Sequence, residues 1–156
     1  MKNKYWLLGV LLALFLSACD SNRVFEDVYN FDEEGWSMDT IPSFQFEIED
    51  NRPKRVLLNV RNSIEFKTRN LYITYYLIDP EGNEIKSELV DIQLFDAITG
   101  KPFGEGNSIF QHEVELLPSH QFNPTGVYTI KVAQYMREAN LQNIPSVGVR
   151  IEELRD

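Results

Sequence analysis

The sequence predicts an all-β protein: a single-domain antiparallel β-sandwich, jelly-roll-like, of about seven strands, behind a lipoprotein signal peptide. Three observations carry this reading. Six segments alternate apolar and polar residues with period two, as half-buried strands do, and a seventh is apolar on both faces. Clusters of Gly, Pro, Asn and Asp separate most of them. No long stretch repeats its apolar residues every 3.6 positions, so the crossover helices that a parallel sheet requires are missing.

The chain of 156 residues opens with Lys2 and Lys4, followed by fourteen uncharged residues from Tyr5 to Ala18. That run is too short for a comfortable bilayer span of about 20 residues and has the length of a signal-peptide core. It ends in Leu16-Ser17-Ala18-Cys19, which reads as a lipobox. Small residues at 17 and 18 suit a peptidase cleft, and Cys19 supplies the thiolate that takes the diacylglycerol. Cys19 is the only cysteine, so an intramolecular disulfide cannot form and an anchor explains it better than redox or metal chemistry. The boundaries expected are 1–18 for the signal peptide, 19–42 for the lipidated cysteine, tether and irregular lead-in, and 43–156 for the sandwich.

Cleavage before Cys19 leaves 138 residues with 13 of the 15 basic and all 24 acidic side chains, a formal charge of −11. That balance argues against electrostatic binding of nucleic acid or anionic headgroups. A composition of 43% apolar and 12% aromatic residues suffices for one real core.

Each strand follows from its own pattern. Phe44, Phe46 and Ile48 alternate with Gln45, Glu47 and Glu49, and Val56, Leu58 and Val60 with Leu57, Asn59 and Arg61. Residues 71–78 are apolar on both faces, which predicts a central position in a sheet. The turn Asp79-Pro80-Glu81-Gly82-Asn83 precedes a face of Val90, Ile92 and Leu94. Thr99-Gly100-Lys101-Pro102 precedes Phe110, Val114 and Leu116. Asn123-Pro124-Thr125-Gly126 precedes Tyr128, Ile130, Val132 and Met136. Val147, Val149 and Ile151 close the domain, and residues 136–142 have room for one helical turn.

Catalytic signals are thin. Nucleophile elbows, H-E-x-x-H, paired C-x-x-C and phosphate loops are absent from the sequence. Gly100, Gly104 and Gly106 read as a hairpin loop with unusual backbone angles, not a nucleotide fingerprint. His112 is in phase with Phe110 and Val114, as a hydrogen-bonded core histidine would be; a hydrolase pairing it with a carboxylate is the weaker reading. His120 falls in a solvated loop. Asp79, Glu81, Asn83 and Glu84 lack EF-hand spacing and read as a turn. Trp36, Tyr72, Tyr76 and Tyr135 admit a sugar-stacking platform, but burial against a second sheet is favoured because Thr74 and Ile78 share the face of Tyr72 and Tyr76. Neither a metal nor a cofactor is expected.

The C-terminal half carries a resemblance. Leu94-Phe95-Asp96, Thr99 through Gly106, Phe122, Gly126-Val127-Tyr128, Gln134-Tyr135-Met136-Arg137 and Val147 through Glu152 resemble the gliding-motility lipoprotein GldH family. Val60-Arg61-Asn62-Ser63, Asn70-Leu71-Tyr72 and the lipobox agree with it. Asn143 stands where the family leads one to expect glycine. The resemblance implies a cell-envelope lipoprotein of gliding Bacteroidota, periplasmic or outer-membrane-associated and coupled to type IX secretion. It implies no catalytic residues. The function expected is a membrane-anchored, non-enzymatic accessory component whose partners are other gliding and secretion proteins. A glycan-binding envelope module is the alternative. Lipidation falls to Cys19, and partner or glycan contact to Trp36, Tyr72, Tyr76 and Arg137. Gln134 and Met136 are fold or contact positions. Strand edges and the loop at 99–108 are further candidate surfaces.

Overall fold

The structure, a computed structural model, describes residues 22–154. The expected signal peptide and Cys19 lie outside the described residues. Eleven strands are present among the described residues, not about seven: β1 (Arg23–Asn30), β2 (Trp36–Ser37), β3 (Ser43–Ile48), β4 (Lys54–Ser63), β5 (Asn70–Ile78), β6 (Glu84–Gln93), β7 (Glu105–Gly106), β8 (Ile109–His120), β9 (Gly126–Gln134), β10 (Asn140–Leu141) and β11 (Ser146–Glu153).

One sheet runs β1-β11-β4-β8-β7, the other β3-β9-β5-β6, and β2 pairs with β10 in a small clip. Every pairing is antiparallel. Setting aside the three two-residue strands leaves eight. Numbered along the chain, these lie in the orders 1-8-3-6 and 2-7-4-5, which is a jelly roll. The expected class is correct, and β1 completes it.

Residues 23–30, expected within the tether and irregular lead-in, form that first strand, paired with β11 from Arg23 opposite Glu152 to Asn30 opposite Ser146. Alternation does not reveal β1, because Phe25, Asp27 and Tyr29 share a face without making it apolar. Only Phe25 packs against the core, with its ring 5.8 Å from Phe46. Hydrogen bonding to β11 holds this edge more than burial does. The helical turn at 136–142 is also absent; bends lead there into β10.

The two sheets bury one core between them. Val56, Leu58 and Val60 of β4 and Val147, Val149 and Ile151 of β11 meet Phe44, Phe46 and Ile48 of β3, Leu71, Ile73, Tyr75 and Leu77 of β5, and Tyr128, Ile130 and Val132 of β9. Each such aliphatic side chain contributes about 1.5–3 kcal/mol through burial. β5 lies inside its sheet, between β9 and β6, as its two-sided apolar pattern requires. β6 is an edge with only Ile92 buried and Val90 half-buried.

Antiparallel order sorts the connections by end. Segments 49–53, 79–83 and 121–125 lie at one end with Asn22 and Leu154. There the Asn22 carbonyl accepts from the Glu153 N–H at 2.8 Å. Buried Lys54 donates to Asp50 at 2.7 Å, and Arg52 bridges Asp50 and Glu153, each at 2.6 Å. The Arg52 and Lys54 side chains hold the Asp50 carboxyl well below the usual carboxylate range. Segments 31–42, 64–69, 94–108 and 135–145 lie at the opposite end.

Candidate functional site

The residues singled out in the sequence separate into core and surface. Trp36 is fully buried, its ring stacked on Phe31 at 4.9 Å and its Nε1–H donating to the Thr40 carbonyl at 2.9 Å. It is a core residue, which corrects its candidacy for contact: the β2–β10 clip closes the end of the sandwich over it. Tyr72 and Tyr76 alternate with the core residues of β5, so they lie on the outer face of the second sheet, where Tyr72 is exposed and Tyr76 half-buried. The expected burial of these two tyrosines does not occur, because the sheet that holds β4 and β11 packs against the opposite face of β5.

Tyr72 lines a groove of about 730 Å³ with Met38, Thr68, Leu89, Gln134, Tyr135, Met136, Arg137 and Glu138. Antiparallel register builds it. Leu89 of β6 stands opposite Thr74, next to Tyr72 on the outer face, and is 52% exposed. The β9–β10 connection then folds over the end of β5. The Tyr135 N–H donates to the Tyr72 carbonyl at 2.8 Å, and the Tyr72 N–H approaches Met136 Sδ at 3.2 Å. Buried Gln134 sets the turn from within: its Nε2 donates to the Glu138 carbonyl at 2.9 Å and its Oε1 accepts from the Met136 N–H at 2.8 Å. Tyr135, 68% exposed, is thereby held out over the groove. Arg137 is exposed and makes no ion pair among the described residues. The arrangement is an apolar, Met- and Tyr-lined trough with an exposed guanidinium at its rim.

Sequence reasoning therefore reached Tyr72, Tyr135 and Arg137 but missed Leu89, Met38 and Thr68. Leu89 is out of phase with Val90 and Ile92, the one sign that it points outward.

A second concavity of about 1040 Å³ opens between the edges of the two sheets, lined by Asp91, Phe103, Glu105, His112, Glu113 and Glu115 among others. His112 is buried and its Nε2 lies 2.7 Å from Asn62 Oδ1. Its ring nitrogen meets an amide rather than the carboxylate the hydrolase reading needs, and burial pushes its pKa down. Gly104 crosses above it. A Cβ there would lie 2.7 Å from both His112 Nε2 and the Gln111 carbonyl oxygen, so only glycine permits the approach. Gly100 and Gly106 have positive φ, as the hairpin reading of this loop expects. At the other end, Asp79 Oδ1 accepts from the N–H groups of Glu81 and Asn83, which holds its pKa down and makes it a turn residue. No group of three or more His, Cys, Asp or Glu side chains suited to a metal ion is found among the described residues.

The sequence model of the GldH lipoprotein family matches residues 23–151. The chain belongs to the GldH lipoprotein family. Its match begins at the first residue of β1 and ends within β11, so it includes residues of every strand of the jelly roll. A gliding motility lipoprotein GldH homolog of Christiangramia forsetii is 25% identical over 92% of each chain. Membership places the chain among gliding-motility lipoproteins, membrane-anchored in the cell envelope. Solved structures resemble it more distantly. A family GH115 4-O-methyl-α-glucuronidase with specificity for decorated arabinogalactans matches 88% of this chain and 18% of its own, at 10% identity and a TM-score of 0.45. A family 35 carbohydrate-binding module of Clostridium thermocellum matches 80% of this chain and 90% of its own, at 13% identity and a TM-score of 0.37.

Proposed function

We propose that this GldH-family chain is a non-enzymatic accessory subunit of the gliding machinery, coupled to type IX secretion. It is held in the membrane by a lipid on Cys19 and works by protein contact. The observation that carries the reading is the groove of Tyr72, Leu89, Tyr135, Met136 and Arg137, which gathers apolar side chains from distant parts of the chain beside a cation that makes no ion pair among the described residues. Such a trough suits an apolar side chain of a partner protein flanked by a carboxylate. Anchoring raises the effective concentration of a weak contact of this kind, since both partners share one surface.

The strand edges are poorer candidates. β6, the edge beside β5, carries Glu84, Lys86, Glu88 and Asp91, and charges on an edge discourage strand addition.

The test is crosslinking in cells with a tag after Asp156, followed by mild detergent extraction. Other gliding or secretion components are expected to be recovered, and to be lost from both the Cys19→Ser and the Arg137→Glu strains. A chain recovered alone, with normal gliding and secretion in the deletion strain, overturns the reading. Two exposed tyrosine rings in one groove also favour the glycan alternative. Oligosaccharide binding to the soluble domain, abolished in Tyr135→Ala, would replace the proposal with that one.

A further inference from the structure

We infer that the domain stands on the membrane on the end formed by segments 49–53, 79–83 and 121–125, so that the groove of Tyr72, Tyr135 and Arg137 faces away from the bilayer and receives the water-exposed part of its partner. This rests on the lipidated Cys19 of the preceding reading.

The inference comes from the length of the tether. With residues 23–30 in β1, little of the 19–42 stretch expected to hold the lipidated cysteine, tether and irregular lead-in is left as tether. Only Asp20 and Ser21 separate Cys19 from Asn22, whose carbonyl is already bonded to β11. Three Cα–Cα steps of about 3.8 Å reach at most about 11 Å. β1 begins at the end shared by segments 49–53, 79–83 and 121–125, and that end is therefore held near the lipid.

The groove lies at the other end. Its lining comes from the 31–42, 64–69 and 135–145 connections and from the facing parts of β5 and β6. Ten-residue β4 spans the domain between the ends, about 30 Å at roughly 3.3 Å per residue. A tether of about 11 Å cannot turn this length over.

Charge does not provide a competing hold. The membrane-side connections carry Glu49, Asp50, Asp79 and Glu81 against Arg52, whose guanidinium is committed to Asp50 and Glu153. An end of this composition gains nothing from anionic headgroups. Orientation is imposed by the short link rather than by adhesion. A partner segment buried in the same bilayer is out of reach of the groove, whereas a periplasmic or surface domain that extends above the membrane is within it.

Energy transfer to labelled lipid tests this. The sulfur of lipidated Cys19 is a thioether, so a cysteine placed at Asn51 or at Ile98, which is 94% exposed at the far end, is the sole free thiol of the full chain. The lipidated Asn51→Cys and Ile98→Cys chains are dye-labelled and reconstituted into phosphatidylcholine vesicles carrying a headgroup acceptor. Flotation with the vesicles verifies the anchor independently. The expected result is transfer several-fold more efficient from 51 than from 98. A flexible Gly/Ser insert of about 20 residues after Ser21, with a reach of about 25 Å, is expected to bring the two together. Equal transfer without the insert, as for a domain lying on its β1 edge, overturns the orientation while leaving the anchor intact. So does an asymmetry that the insert leaves unchanged. A chain that fails to float overturns the anchor, and the orientation with it.

Discussion

His112 and Asn62 meet inside the β4–β8 pair, with Nε2 2.7 Å from Oδ1 and both side chains buried. Asn62 Nδ2 donates to the Ser63 carbonyl at 3.0 Å, so its Oδ1 is the free acceptor and the His112 Nε2–H is the donor. The ring is neutral there, and burial opposes a second proton. Below pH 6.5 the unfolded chain takes up protons at this histidine that the folded chain refuses, and stability falls as pH falls. His120 acts in the same direction, through burial first and Lys86 second. The melting temperature should therefore drop between neutral pH and about pH 5, before carboxylates with lowered pKa, such as Asp79 and Asp96, add their own loss below pH 3.8. His112→Gln keeps a donor for Asn62 without a titrating ring. It should flatten the first part of the profile. An unchanged slope would show that His112 does not carry it.

Asn143 adopts a φ of 68°, the left-handed region that favours glycine. Its carbonyl accepts from the Ser63 N–H at 2.9 Å, so the turn is fixed from outside. Asparagine meets the backbone requirement for which the sequence comparison led one to expect glycine. Asn143→Ala should cost about 1–2 kcal/mol in urea unfolding. Asn143→Gly should change stability by no more than about 0.5 kcal/mol. Equal losses in both variants would mean that the side chain, not φ, is what matters.

Two changes at the N-terminal side of the sandwich separate folding from binding. Trp36→Ala removes the ring stacked on Phe31 and should cost about 3–5 kcal/mol. Any loss of ligand binding in that variant reports on the fold alone. A chain beginning at residue 43, where the sequence suggests the domain starts, lacks both β1 and the β2 half of the clip. It should show no cooperative thermal transition, while one beginning at residue 20 melts cooperatively. Calorimetry of the pair decides, and a cooperative melt from residue 43 would make β1 dispensable.

Most of the jelly roll is legible in the sequence because most strands bury one face. Phe44-Phe46-Ile48 and Val147-Val149-Ile151 announce themselves by alternation alone. β1 does not, since Asp27 interrupts its inward face and its stability comes from pairing with β11, a partner about 120 residues away that no local pattern records. The clip of β2 and β10 is two residues deep, shorter than any period. The groove is half legible for the same reason. Tyr72, Tyr135 and Arg137 draw notice by residue type, but the exposure of Leu89 depends on its register opposite Thr74.

The groove itself separates residues that build from residues that touch. Gln134→Ala breaks two hydrogen bonds to the 136–138 turn, Nε2 to Glu138 and Oε1 from Met136, and should cost about 1–3 kcal/mol of stability. Tyr135→Ala and Arg137→Glu alter exposed side chains, one held by its backbone alone and the other without an ion pair among the described residues. Both should melt with the parent chain, within about 0.5 kcal/mol. If the groove is the contact surface, Tyr135→Ala should nonetheless weaken partner recovery by roughly 30-fold, since truncating an anchoring tyrosine costs about 2 kcal/mol or more. Arg137→Glu should go further by placing a carboxylate against the partner's carboxylate. Gliding speed and crosslinked yield, measured beside thermal melts, distinguish the cases. Parent-like gliding in both surface variants, with a defect confined to Gln134→Ala, would make residues 134–138 a structural turn and move the contact elsewhere on the domain.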